Sequence, residues 1–585
     1  MEDGRSLRQN DGAERRQGMA GLTIKHRARV MRLAASQAGR ESVAGILGSR
    51  LLRWRYGAPA AEALAMVPQQ LRPADPSFAD EIAGGSFGLS QSVTLIDGAS
   101  PFDIATPGVA WERELHGFSW LRHLTASGRE GAGETALNLV DDWIASPRSR
   151  EAIAVEPDVT GRRIISWIAN ADTLLENADQ AAFDRVAGSL VDQLVGLSST
   201  WPSARDGYPR LEALIAVVYG HICIIGHERH LSRSEASLAA ELTRQIMPDG
   251  GHVSRNTNVL LELLLDLLPL RKCFQQRQRP VPVAIEAAME RMLGMLCYMR
   301  LGDGAIARFN GVGETAMAEL SNVLAHGQPL ASSEALKDAP QSGYARLQRG
   351  RLVLIADVGE PPPMGHAGQA HAGALSFELS AGACALMVNC GAPGPAGSIY
   401  AAAARATASH NAFCFGDKSS AKLVQNESLA RLGGTAQVVS IGHVSRRLET
   451  RENESSLIAT FDGYLAEHGL VHSRRWTMAE DGCRLQGCDL LTGPGTAVRL
   501  ARDVPVAVRF HLHPDVKCET GPDGVLLLGL RDGTQWTFAA AGGEISIEPS
   551  IHFADPTGPA RSLQIVLRGA CWGDTQITWE LSPAQ

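Results

Sequence analysis

No stretch of this chain is apolar enough to cross a membrane as a helix, which takes roughly 20 consecutive apolar residues. The longest apolar run, Val259 to Leu270, is broken by Glu262, Asp266 and Pro269. Met1 to Ala20 is polar, rich in Arg, Asp, Glu and Gly, and lacks the apolar core of a secretion signal, so it reads as a disordered tail. Arg15-Arg16 has the look of a twin-arginine signal, but Lys25, His26, Arg27, Arg29 and Arg32 interrupt the part that should be apolar. The ten cysteines include no C-x-x-C pair, and Cys384, Cys390 and Cys414 stand in apolar, strand-like contexts where reduced thiols are the norm. Both features point to the cytoplasm. A positive excess is missing as well: the formal net charge is −8, and no Lys/Arg cluster is interleaved with aromatics. Nucleic acid is therefore not expected as a partner.

What is present is ordinary globular composition, 44% hydrophobic and 20% charged. A length of 585 residues exceeds one hydrophobic core and suggests about two to four domains. The pattern changes character near residue 340. Before it, segments such as Thr135 to Ser146, Ile164 to Ala178, Gln180 to Leu197, Leu211 to Gly226, Val259 to Leu268 and Val283 to Met299 carry apolar residues at helical spacing. After it come short runs punctuated by Gly, Asp and Pro, among them Arg351 to Val358, Arg474 to Met478, Arg484 to Leu491, Ala507 to Leu512 and Ser562 to Leu567. The expected order is multidomain α then β, with a tail over 1–20, a helical domain over 21–340 and antiparallel sheets over 341–585.

The most informative stretch begins at His371. Leu375 to Leu379 and Cys384 to Val388 flank the small turn Ser380-Ala381-Gly382 as an antiparallel hairpin, which puts His371 and Asn389 at its open end. A strand from Asn411 to Phe415 pairing nearby would bring in His410. Read alone, His371 and His410 are either hydrogen-bonded structural imidazoles or functional groups. His252, Arg255, Asn256 and Asn258 form a polar loop ahead of an apolar helix, with Asn258 as the expected N-cap. Arg255 is a candidate donor to a carboxylate. His511 and His513 share one face of a strand and read as sandwich surface.

With these strings in this order, the chain resembles the heparinase II/III-like family of polysaccharide lyases over roughly residues 110–570. The likeness rests on Asp249-Gly-Gly-His252-Val-Ser-Arg255-Asn-Thr-Asn258, Phe309-Asn310-Gly311, Gln369-Ala-His371-Ala-Gly373, Val388-Asn389-Cys-Gly391, Ser409-His410-Asn411, and Asp462-Gly-Tyr464 with His472-Ser-Arg474-Arg475. The resemblance implies an incomplete (α/α) toroid joined to a C-terminal antiparallel β-sandwich, with an acidic polysaccharide held between them. It also implies β-elimination at a uronic acid, which needs the substrate carboxylate neutralised, a base and an acid. Carried over residue by residue, it makes Tyr400, His371 and Gln369 the catalytic candidates. Arg255, Asn258, His252 and Asn411 become substrate contacts, and His371, Asn389 and His410 the ligands of one structural zinc. It further implies a periplasmic or cell-envelope setting, against the cytoplasmic reading of the N-terminus.

The chain also departs from the family pattern. Gln369 stands where the family has its catalytic histidine, Gly373 where an aspartate closes the His-x-His-x-Asp pattern, and Asn389 where an aspartate supplies a metal carboxylate. Near the helical-domain tyrosine the chain reads Asn258-Val259, with no tyrosine. Glutamine cannot move a proton, and an asparagine ligand lacks the charge that holds a dication. Two functions follow: a lyase acting on a uronate-containing polysaccharide, or a catalytically impaired glycan-binding or scaffold protein of the same fold. No convincing pair of carboxylates supports a hydrolase.

Overall fold

The computed structural model describes residues 24–47, 63–332, 334–416, 418–424, 437–451, 453–495, 498–521 and 524–584. The tail expected over residues 1–20 lies outside them.

Helices dominate up to Gly327 and strands dominate from Tyr344. The Tyr208–Cys223 helix is buried along nearly its whole length and packs against the Pro157–Ala169, Gln180–Thr200, Leu231–Gln245 and Asn258–Gln276 helices. That explains its apolar run from Ala213 to Tyr219, since a helix packed on all sides there needs no polar face. Two helix boundaries differ from expectation. The segment expected as one helix, Ile164 to Ala178, is instead Pro157–Ala169 and Ala171–Leu175, divided at Asn170. Asn170 Nδ2 donates to the Ser166 carbonyl at 2.8 Å, and its Oδ1 accepts from Thr125 Oγ1 at 2.7 Å. Conversely, the Asn258–Gln276 helix runs through Pro269. Leu263 to Leu268 and Leu270 are all buried there, and that packing outweighs the one backbone bond proline removes.

The β half holds an eight-stranded antiparallel sheet and two four-stranded antiparallel sheets. Side chains from all three meet in one core: Phe377 stacks on Trp579 at 5.5 Å and lies edge-on to Phe510 at 6.2 Å. This is the packing of a sandwich. The expected hairpin is present as Phe377–Ala381 and Cys384–Met387, with Ala381 opposite Cys384 and Gly382 at φ +59° in the turn. The following strand is shorter than expected, Phe413–Phe415. It pairs with Arg499–His511 of another sheet and not with the hairpin. His511 is a correction too: it is buried, not on the sandwich surface, with Nε2 2.9 Å from the Ala408 carbonyl.

A short ribbon, Ser86–Leu89 paired with Ser92–Leu95, is inserted in the helical half and has no counterpart in the sequence reading. Its tip, Ser90-Gln91, has both φ angles positive, the twist a two-residue hairpin turn needs. Glu114 Oε2 holds that tip by accepting from the Ser90 backbone at 2.9 Å and hydroxyl at 2.7 Å. Among the described residues, no helix is long and apolar enough to cross a membrane.

Candidate functional site

A cavity of about 810 Å³ opens between the two halves. The helical side contributes Ser90, Ser92 and Trp111, and the β side Gln369, His371 and Arg405. The Phe309-Asn310-Gly311 turn forms part of its wall. Asn310 sits at φ +50° and Gly311 at φ +97°. A Cβ on Gly311 would lie 2.7 Å from Gln369 Cβ and 2.9 Å from Asn256 Nδ2, so only glycine fits.

That turn carries His371. The His371 backbone N–H donates to Asn310 Oδ1 at 3.1 Å, and the Gly311 N–H donates to His371 Nε2 at 3.2 Å. With Nε2 acting as acceptor, the ring proton sits on Nδ1, which lies 2.9 Å from His410 Nε2. His410 in turn donates from Nδ1 to the Ala406 carbonyl at 2.8 Å. Burial lowers the His410 pKa to about 4. Burial, then His410 and Arg405, hold His371 well below its usual value. Both rings are neutral at physiological pH, and both nitrogens of each ring are engaged.

Asn389 and Asn411 lie beside this pair as backbone ties. Asn389 Nδ2 donates to the Arg308 carbonyl at 3.2 Å, and its Oδ1 accepts the Asn411 N–H at 2.9 Å. Asn411 Nδ2 donates to the Phe377 carbonyl at 2.8 Å, and its Oδ1 accepts the His511 N–H at 2.5 Å. The His371, Asn389 and His410 set supplies two imidazoles that hydrogen-bond each other and an amide oxygen already taken. It carries no charge to balance a dication, so this arrangement does not fit zinc. Among the described residues, no three His, Cys, Asp or Glu side chains are grouped to hold a metal ion.

The other candidates lie at the junction of the two halves. Arg255, at φ +58°, is committed there. Its Nε donates to the Ser342 carbonyl at 2.7 Å, Nη1 to the Glu360 carbonyl at 2.8 Å, and Nη2 to the Gly343 carbonyl at 3.0 Å. Nη2 also forms an ion pair with Asp357 at 2.6 Å, and the guanidinium lies 4.7 Å above the Tyr344 ring. Arg255 therefore joins the two halves and does not face the cavity. His252 is buried between Gln245 Oε1 and Ser254 Oγ, 2.7 Å from each, and burial lowers its pKa to about 3. Asn258 is the first residue of its helix instead of the cap. Asn256 Oδ1 takes the Asn258 N–H at 2.9 Å, so the local turn belongs to Asn256. Asn256 Nδ2 also donates to Gln369 Oε1 at 2.8 Å, a direct bond between the halves at the cavity wall. Tyr400 is 39% exposed and stacks on Phe553 at 5.7 Å. Its neighbour Ala401 lines the cavity, and the Tyr400 ring does not.

The structure thus places Gln369 and His371 at one wall, with His410 bonded behind His371, and leaves Tyr400, Arg255 and His252 outside the cavity lining. Sequence reasoning missed Arg405, which lines the cavity beside His371 and is 8% exposed. The signal was there: a single arginine in an Ala-rich segment, five residues before His410, with no acidic residue between Ala392 and Phe415 to pair with it.

Comparison with known proteins agrees with this fold. Residues 331–580 match the family described as heparinase II/III-like, C-terminal. The chain is 30% identical over 561 residues to FtsZ-localized protein C of Caulobacter vibrioides, covering 92% of this chain and 93% of that protein. The fold superposes on a crystal structure of heparinase III with a TM-score of 0.69 at 12% identity, covering 92% of this chain and 89% of that one. A mutant of the heparan sulfate lyase HepC from Pedobacter heparinus gives a TM-score of 0.60 at 14% identity, over 97% of this chain and 92% of that one. A helical domain followed by a sandwich, the motif order along the chain and these matches lead to one conclusion: the chain belongs to the heparinase II/III-like family, with a polysaccharide-lyase-like fold.

Proposed function

We propose that this chain recognises an acidic, uronate-containing polysaccharide in the cleft between its halves without eliminating across its glycosidic bonds. The observation that carries this reading is the closure of His371. Its Nε2 accepts the Gly311 N–H and its Nδ1 faces His410 Nε2, so neither nitrogen is offered to a sugar proton. Elimination needs a base at the proton next to the carboxylate and an acid at the departing oxygen. Gln369 supplies neither. It keeps the hydrogen-bonding capacity that sugar hydroxyls use, and Asn256 holds it in place.

The cleft volume of about 810 Å³ is within the usual range for a ligand site. Arg405, which lines the cleft, supports an anionic ligand. The name of the FtsZ-localized relative records a place instead of a reaction, which is consistent with a recognition role in this branch. Calorimetric titration of the full chain with heparosan, alginate and neutral dextran tests the reading. Saturable binding of a uronate polymer, absent with dextran, is the expected result. Equal affinity for dextran, or no binding to any acidic polymer, would overturn it.

A further inference from the structure

We propose that Arg405 is the anion anchor of the cleft and binds a uronate carboxylate beside His371. This rests on the glycan-binding reading above and names the group in the glycan that is recognised.

Three observations converge on this residue. Arg405 is 8% exposed, yet among the described residues no carboxylate forms an ion pair with it. The other deeply buried arginines of the β half and the junction do have acidic partners: Arg255 pairs with Asp357, Arg308 with Glu378, and Arg474 with Asp489. A guanidinium taken out of water without a counter-charge is costly, and a ligand that supplies the charge offsets that cost.

Its fixed contacts also leave part of the group free. Nε donates to the Ala370 carbonyl at 2.8 Å and Nη2 to the Ala367 carbonyl at 3.0 Å, which holds the guanidinium plane still. Nη1 makes no hydrogen bond with a described residue. A guanidinium held by backbone and with an unused N–H edge is pre-organised for an oxyanion.

Finally, the surroundings suit an anion. Arg405 lines the cavity with Gln369 and His371, and the described lining residues include no Asp or Glu to repel a carboxylate. Burial alone lowers its pKa to about 10, so it stays cationic at neutral pH. The neighbouring His371 is neutral and adds no second charge. One cation in a closed wall selects one anionic group per sugar, in keeping with a uronate.

The test compares heparosan with its carboxyl-reduced form, titrated into wild type, Arg405→Gln and Arg405→Lys. Wild type is expected to lose about 10- to 100-fold in affinity when the carboxylates are reduced, the worth of one charge-assisted contact. Arg405→Gln should lose as much on native heparosan and be insensitive to reduction. Arg405→Lys, which keeps the charge without the fork, should fall between them. Equal wild-type affinity for native and reduced polymer overturns the Arg405 assignment and leaves the glycan reading standing. So does an Arg405→Gln protein that melts like wild type and binds heparosan unchanged. Absence of any heparosan or alginate binding by wild type overturns both. Because the reduced polymer is titrated into wild type, the assignment is tested even if Arg405→Gln does not fold.

Discussion

His371 Nδ1 lies 2.9 Å from His410 Nε2, and the backbone fixes the direction of that bond: Gly311 N–H at one end, the Ala406 carbonyl at the other. Protonating either ring would set a donor against a donor. Burial holds His410 at about 4 and His371 lower than usual too, whereas an unfolded histidine titrates near about 6.5. As pH falls through this window the unfolded chain takes up protons first, so the stability these rings contribute is complete above about pH 6.5 and drains away towards about pH 4. The melting temperature should be level near neutrality and decline below about pH 6.5. In His410→Gln the decline should be shallower in that window. An identical slope in the variant would mean the pair is not neutral in the fold.

Arg255 binds three carbonyls and Asp357 across the junction. Removing one member of a buried ion pair costs about 3–5 kcal/mol. Arg255→Ala should lower unfolding free energy by about that amount while the folded fraction keeps its affinity for glycan. A loss of affinity with stability intact would return Arg255 to the substrate-binding role the sequence suggested.

Gly311 is squeezed between Gln369 and Asn256 at φ +97°. Gly311→Ala should cost about 1–3 kcal/mol from the backbone conformation alone and push Gln369 off Asn256. Glycan affinity should fall together with stability, measured by titration and chemical denaturation of the same preparation. A variant indistinguishable from glycine in both would show that the turn has room the structure lacks.

Tyr400 presents its ring to Phe553. Tyr400→Phe keeps that stacking and loses only an exposed hydroxyl, so binding and melting temperature should both match wild type within error. A tenfold or larger change in glycan affinity (about 1.4 kcal/mol) would place the hydroxyl in the site after all.

The α-then-β order was legible because helical periodicity and short alternating runs leave different marks, and both survive a length of 585 residues. The hairpin was legible from Gly382 and its apolar flanks. The Asn170 break was not, because a side chain taking a neighbouring carbonyl leaves no periodic trace. The Ser86–Leu95 ribbon is equally quiet, being two strands of four residues whose cross-strand partners are local. At the site, histidines and asparagines could be named from spacing, but the direction of their hydrogen bonds could not. That direction depends on Gly311 and Ala406, which contribute backbone only. Arg405 carried a local signal, an arginine without a nearby acid, but its place in the cavity lining emerges only from packing.

The central claim is recognition without elimination, and one time course tests it most directly. Purified full-length protein is held with saturating heparosan at neutral pH, with binding verified in the same sample, and unsaturated-uronate absorbance is followed to long times. The account predicts a flat trace, indistinguishable from polymer alone, while the protein stays bound. A steady rise that scales with protein concentration would contradict it and make the His371 wall a working lyase site.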